Sequence, residues 1–295
     1  MSMNRVTIGI CAYNEERNIE DCVLSILRQN ISSAELSEII VVSSGSTDST
    51  DGIVRRLMSE NPLLKLIVQD KREGKNSAIN EVIRTAVGNI IVLVNADNCL
   101  AEDSLDHLLK PFSDPLIGMA GGRPMPTNDR STAIGFAVHM LWDMHHRLAM
   151  IHPKIGELVA FRNDNMELPL NMQSDEDILR MELERKGYVS VYVPEAVVYN
   201  RGPENFSDFF KQRKRVNIGE RMMRKSFRYE VPTWNSDYLF NAYLGFIRDT
   251  GPHPLRISMA IGVETCARAY ATMHVAMDRG DISIWELVDS TKKLK

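Results

Sequence analysis

Within its first hundred residues the chain alternates short apolar, β-branched runs with amphipathic stretches. This rhythm constrains the fold more than any other feature. Apolar runs at 6–11, 38–42, 64–68 and 89–94 are separated by helical patterns at 16–28, 47–60 and 75–86. Apolar strands with helices between them read as β-α-β units on a parallel sheet covered on both faces. Ligands of such sheets sit outside the carboxyl ends of the strands. Four consecutive ends carry small, polar or charged residues: Ala12-Tyr13-Asn14-Glu15, Ser43-Ser44-Gly45-Ser46-Thr47-Asp48, Asp70-Lys71-Arg72-Glu73-Gly74-Lys75 and Asn95-Ala96-Asp97-Asn98. They are expected to converge on one site.

The second half is less regular. The pattern predicts a strand at 116–122, a long helix at 131–150 carrying Trp142, His145 and His146, and a short strand at 156–162. Two strands follow at 188–193 and 196–199, split by Pro194, and then a helix at 206–228. Between 211 and 228 that helix carries eight Lys/Arg against one Glu, and further helices follow it. No repeat or low-complexity linker divides the 295 residues, a length that suits one large α/β domain. A net charge of −4 gives no global case for nucleic-acid binding. The four cysteines (Cys11, Cys22, Cys99, Cys266) form no C-x-x-C pair, and read as reduced thiols of a cytosolic protein. Residues 1–6 lack a signal-peptide layout. The apolar stretch 257–277 is interrupted by Glu264, Arg268 and His274, whereas a spanning helix needs roughly 20 apolar residues. The methionines read as flexible core filling, and Phe206, Phe209, Phe210 and Phe227 as core rather than lipid anchors.

Each strand end suggests chemistry. Asp97, beside other oxygen ligands, suits a hard divalent cation bridging phosphates. A lone aspartate there would be a turn or cap residue; three further polar strand ends favour the metal. In the 43–48 loop, Ser46 or Thr47 is expected to cap the next helix, while hydroxyls and backbone hold a nucleoside. The spacing matches neither a P-loop nor the dinucleotide fingerprint G-x-G-x-x-G. Lys71, Arg72 and Lys75 precede a helix whose free N–H groups favour phosphate. The triplet Asp175-Glu176-Asp177 can supply a general base, or simply an acidic first helix turn, which the residues alone favour. The basic 211–228 face is solvated, or contacts a diphosphate or anionic lipid. For His139, His145, His146 and His152, structural or acceptor-site roles rank above metal ligation.

Taken together these residues resemble the family-2 inverting glycosyltransferases of GT-A fold. The matching pieces are residues 7–15, 39–48, 71–75, 92–97, 156–162, the acidic triplet, Gly187-Tyr188, 193–196 and 212–215, and the resemblance covers roughly 5–220. It implies an α/β fold with a Rossmann-like, mostly parallel sheet flanked by helices. The implied GT-A domain spans 1–228, with a nucleotide-binding half at 1–100 and an acceptor half at 101–228; a C-terminal helical extension occupies 229–295. The implied activity is a metal-assisted, hexosyltransferase-type transfer from a nucleoside-diphosphate sugar, UDP- or GDP-linked, using Mg²⁺ or Mn²⁺. The acceptor would be a sugar, a lipid-linked sugar or a small molecule.

By the same resemblance Ala12, Tyr13 and Glu15 cradle base and ribose, with Ser44 where the family has an aspartate to the base. Arg72 and Lys75 face the nucleotide and its phosphates, and Asp97 is the metal-binding aspartate. The triplet supplies the base: the register leaves Glu176 and Asp177 open, with Asp177 preferred because the family places aspartate after glutamate. Gln212 and Arg215 match the late Q-x-x-R-W signature near the diphosphate. Three departures stand out. Asn95 replaces the first aspartate of the D-x-D signature, Ser43-Ser44 an acidic pair, and Val216 the signature tryptophan, which argues against a processive polysaccharide synthase.

Two other readings compete. A nucleotidyltransferase would want a glycine-rich basic loop after the first strand, where this chain has Tyr13-Asn14-Glu15. A catalytically silent nucleotide-sugar-binding module draws weight from Asn95 and Ser44, against Asp97, Lys75 and the triplet. For the C-terminal helices, the stripe Ile257, Ile261 and Ala271 beside the basic 211–228 region predicts docking on the inner membrane surface or on a second subunit.

Overall fold

The computed structural model describes residues 3–172, 174–229, 231–277 and 291. Among them, eight strands form one sheet, in the order Leu64–Gln69, Glu35–Ser44, Arg5–Ala12, Ile90–Asn95, Leu158–Arg162, Ile117–Pro126, Val189–Asn200 and Cys99–Leu100. The N-terminal block is as the rhythm predicts: β1 (Arg5–Ala12), α1 (Ile19–Leu27), β2 (Glu35–Ser44), α2 (Thr50–Glu60), β3 (Leu64–Gln69), α3 (Lys75–Thr85) and β4 (Ile90–Asn95). β1 pairs in parallel with β2 and β4, and β2 with β3. Burial on both faces explains the continuous apolar runs. Ile39 and Val41 point into one core beneath α1 and α2, while Ile40 and Val42 point into the other with Ile79 and Val82 of α3. A methyl group on Gly9 would come within 2.6 Å of Val82, so β1 admits α3 only because residue 9 has no side chain.

Past β4 the chain continues through β5 (Cys99–Leu100), α4 (Ser104–Leu109), β6 (Ile117–Pro126), α5 (Ala133–Ile151), β7 (Leu158–Arg162), α6 (Asp175–Arg185), β8 (Val189–Asn200) and α7 (Phe206–Phe227). β7 runs antiparallel to both β4 and β6, whereas β6 and β8 are parallel. The two strands expected around Pro194 are one strand. Gly121 pairs with Tyr192 and Arg123 with Val197, so four residues of β8 face one of β6. The proline lacks an N–H for the ladder, and the strand bulges past it rather than stopping.

α8 (Ser236–Thr250) and α9 (Pro254–Ala276) complete the described fold. Phe246 of α8 with Ile257, Ala260 and Val263 of α9 forms a third core on Phe136 and Val138 of α5 and Phe209 of α7. This corrects the expected stripe: Ile257 and Ala271 are buried, and of the three only Ile261 faces outward. Phe206 is likewise exposed, stacked on Phe210 rather than buried in the core. Among the described residues no helix is long and apolar enough to cross a membrane. Residues 278–290 and 292–295 of the expected extension lie outside the described residues.

Candidate active site

A cleft of about 870 Å³ opens at the carboxyl ends of β1, β2 and β4. Ala12, Tyr13, Glu15, Ser44, Arg72, Lys75, Asp97, Asp175, Glu176, Asp177, Gln212 and Arg215, the residues singled out from sequence, all line it. They arrive from three strand ends, the loop before α3, the first turn of α6 and the middle of α7.

On one side the strand-end loops are tied to each other. The Asn14 N–H donates to Ser46 Oγ (3.1 Å), Thr47 N–H donates to Asn14 Oδ1 (2.8 Å), and Glu15 N–H donates to Thr50 Oγ1 (2.8 Å). Glu15 also accepts from Asn18 Nδ2 at 3.0 Å. Ser44 Oγ accepts the Glu73 N–H at 3.0 Å, and the Arg72 guanidinium lies 4.2 Å from the centre of the Tyr13 ring. Gly45 adopts φ +67°, and a Cβ there would come within 2.5 Å of the backbone of Lys71 and Arg72. α2 starts at Thr50, later than expected. Ser46 and Thr47 therefore bind the β1 loop instead of capping the helix, and Asp48 Oδ1 accepts the Thr50 N–H at 3.0 Å.

The acidic triplet forms the first turn of α6, so the helix-dipole reading and the active-site reading describe the same residues. Lys75 reaches across the cleft to it, with Nζ 2.7 Å from Asp175 Oδ2 and 3.2 Å from Glu176 Oε1. Burial alone would lower the Lys75 pKa, but the two carboxylates outweigh it and raise it. Asp175 is held above the usual carboxylate range by burial and by Glu176, against the pull of Lys75. Asp177 differs: among the described residues it accepts no hydrogen bond and has no cation within ion-pair distance. Burial, with Glu220 and Glu176 nearby, pushes it up to about 7 despite Lys154 and Arg180.

Asp97 follows β4, and a carboxylate unforeseen from sequence stands beside it. Glu157, just before β7, accepts from Asn95 Nδ2 (2.7 Å) and Asn98 Nδ2 (3.1 Å), both to Oε2. Burial and the charge of Asp97 raise its pKa, against those two donors. Arg215 of α7 faces the same group. Burial lowers its pKa, while Glu157, Asp97, Asp175 and Glu176 pull the other way.

The far end of the cleft is built from α5, α7, α8 and α9. Lys154 pairs with buried Glu220 at 2.8 Å, and Glu220 also accepts from Thr233 Oγ1 and Trp234 Nε1. Arg213 and Arg268 share Glu264 at 2.7 and 2.9 Å. The basic face expected on 211–228 is thus divided. Arg213 and Arg215 are drawn inward, while Arg224, Lys225 and Arg228 face solvent. His145 is buried, and among the described residues neither of its ring nitrogens has a hydrogen-bond partner. Burial, Lys154 and His146 bring its pKa down to about 3, so the ring is neutral. Glu157, Lys154, Glu220 and Glu264 were not foreseen as site residues. The sequence pattern predicts a strand at 156–162, but only the antiparallel pairing of Val94 with Leu158 brings residue 157 beside Asn95.

The description "Glycosyl transferase family 2" matches residues 7–168, more than half of the chain. The chain belongs to this family. A second description, "Glycosyl transferase family group 2", matches residues 90–277, from β4 to the end of α9. Among curated relatives, the poly-beta-1,6-N-acetyl-D-glucosamine synthase of Staphylococcus aureus (strain COL) is 24% identical over 222 residues, which cover 71% of this chain and 53% of that protein. The chain therefore spans about half the length of that relative. An N-acetylglucosaminyltransferase of Bradyrhizobium elkanii is 30% identical over 129 residues, 43% of this chain and 70% of the relative. Among solved structures, the mannosyltransferase PcManGT from Pyrobaculum calidifontis, in complex with GDP-Man and Mn²⁺, superposes with a TM-score of 0.66 at 22% identity, covering 95% of this chain and 89% of that one. S. aureus TarS 1-349 gives 0.52 at 16% identity, covering 93% and 92%. These likenesses carry the GT-A fold that the family expectation named.

Proposed function

We propose that the chain is an inverting glycosyltransferase that moves a hexosyl group from a UDP- or GDP-sugar to an acceptor hydroxyl. The observation that carries this reading is a candidate base and an anion cradle sharing one cleft: Asp177, without an ion-pair partner among the described residues, faces the same space as Arg72, Lys75, Arg215 and Asp97. Ala12, Tyr13, Glu15 and Ser44 would bind the nucleoside, with Arg72 and Lys75 on the phosphates and Gln212 and Arg215 on the diphosphate. Asp177 would take the proton of the acceptor hydroxyl. The acceptor oxygen then bonds to the anomeric carbon from the face opposite the diphosphate, and the anomeric C–O bond breaks with its electrons leaving on the diphosphate. Glu176 is the lesser candidate for the base, because it is already engaged by Lys75.

The chemistry of the site fits a divalent cation, Mg²⁺ or Mn²⁺. Asp97 offers a carboxylate, and the neighbouring Asn98 Oδ1 is buried with no partner among the described residues. Among the described residues no three His, Cys, Asp or Glu side chains form a metal cluster, so donor phosphate oxygens would complete the coordination. Such an ion, when bound, offsets charge on the departing diphosphate.

The acceptor wall combines buried ion pairs with Leu141, Trp142, Tyr243 and the outward Ile261, which supports a sugar acceptor carrying an apolar group, such as a lipid-linked one. Exposed Phe240, Leu244 and Leu255 of α8 and α9 support a peripheral contact at the cytoplasmic face of a membrane. Failure to float with anionic vesicles would remove that part. The central test is a thermal-shift screen of UDP-, GDP-, dTDP- and CDP-sugars with and without Mn²⁺. A ligand far above its Kd raises Tm visibly. A metal-dependent shift with one nucleotide, lost in Asp97→Ala, is the expected result; no shift with any donor would count against a nucleotide-sugar site, and a shift without donor turnover would favour the silent binding module.

A further inference from the structure

The signature acidic position before Asp97 is an asparagine here, and an amide brings no negative charge to a cation. The fold returns a carboxylate to that place from another strand. β7 pairs antiparallel with β4, Val94 opposite Leu158, so the residue preceding Leu158 lies beside Asn95. That residue is Glu157. Its Oε2 accepts from both Asn95 Nδ2 and Asn98 Nδ2, which fixes the carboxylate at the cleft wall. Oε1 accepts no hydrogen bond among the described residues.

We infer that Glu157, held by Asn95 and Asn98, takes the place of the missing signature aspartate and would join Asp97 in holding the divalent cation of the donor site. The inference rests on the proposed function and refines its metal site. A second observation points the same way. Asn98 is wholly buried where it lines the cleft, and among the described residues its Oδ1 has no partner although its amide nitrogen donates to Glu157. A buried polar atom without a partner is costly, and a neutral oxygen beside two carboxylates is the donor type that Mg²⁺ and Mn²⁺ accept. Arg215, facing Glu157 and Asp97, would then balance the pair when no cation is bound.

Glutamine separates a ligand from a strut. In Glu157→Gln the side-chain oxygen can still accept from Asn95 and Asn98, but the charge is gone. The experiment is a Mn²⁺ titration followed by electron paramagnetic resonance on the full chain. Wild type, Glu157→Gln, Glu157→Asp and the double variant Glu157→Gln/Asn95→Asp would be compared with saturating UDP, GDP, dTDP or CDP. Nucleotide binding in EDTA and the thermal midpoint serve as controls. Loss of an outer-shell partner weakens metal binding about 10–100-fold, so Glu157→Gln should weaken Mn²⁺ by at least about tenfold. Its EDTA nucleotide affinity and midpoint should hold, Glu157→Asp should retain part of the affinity, and Asn95→Asp should restore it. Unchanged Mn²⁺ affinity in Glu157→Gln, or an equal loss of nucleotide binding in EDTA, would overturn the inference and leave the proposed function standing. No nucleotide-dependent Mn²⁺ binding by wild type would overturn both. If Glu157→Gln does not fold, the Asp variant carries the comparison, with wild-type Mn²⁺ affinity counting against a ligand role.

Discussion

The two ends of the cleft are held together by different means. At the proposed nucleotide end, loops from adjacent strand ends are joined by neutral hydrogen bonds from backbone N–H groups to side-chain oxygens: Asn14 to Ser46, Thr47 to Asn14, Glu15 to Thr50 and Glu73 to Ser44. At the acceptor end, long charged side chains from helices far apart in sequence pair inside the protein: Lys154 with Glu220, Arg213 and Arg268 with Glu264. The first construction depends on strand positions alone. The second depends on helix packing, and each charge there relies on its partner to remain tolerable in a buried setting. The nucleotide end should therefore behave as a rigid template, and the acceptor end should be the more sensitive to loss of any one group.

The sharpest break in that comparison is Asp177→Asn. Removing a general base should lower transfer on the order of a thousandfold, about 4 kcal/mol in barrier, with donor affinity unchanged; steady-state transfer assays beside donor titrations would measure both. Glu220→Ala comes next. It strands Lys154 in a buried setting, so denaturant unfolding should report a loss of about 3 kcal/mol. Gly45→Ala attacks the template instead: a side chain at φ +67° against the Lys71–Arg72 backbone should cost about 2 kcal/mol and weaken donor binding. The pH profile is gentler. With Asp177 near 7, its active carboxylate form is lost as pH falls, so kcat/KM should drop about tenfold per unit well below 7 and level off above it. A flat profile between 5 and 8 would count against Asp177. The smallest effect is expected for Arg72→Lys, which keeps a cation for the donor phosphates but loses the planar guanidinium over Tyr13. At about 0.5–1 kcal/mol, donor Kd should rise only a few-fold.

The same contrast explains what could be read from the sequence. Each polar strand end is announced by the apolar run before it, so Ala12, Ser44, Lys75 and Asp97 were legible without knowledge of the sheet. The triplet was legible as a cluster, but only the fold separates Asp177 from the two carboxylates that Lys75 engages. Glu157 was illegible because its place beside Asn95 follows from an antiparallel pairing between strands more than sixty residues apart. Pro194 looked like a break because a missing N–H is a local fact, whereas the bulge that accommodates it belongs to the sheet. Ile257 reads as part of an outward stripe because the side chains that bury it, on α5, α7 and α8, lie on other helices.

The contact of Gly45 with the backbone of Lys71 and Arg72 bears on how donor preference could be re-engineered. The loop after β2 and the loop after β3 share a surface with no side chain between them, so neither has room to change its course alone. A transplanted loop from a relative would meet its neighbour's unaltered main chain. The two would have to be exchanged as a matched set, and natural drift in one should be legible as a compensating change in the other.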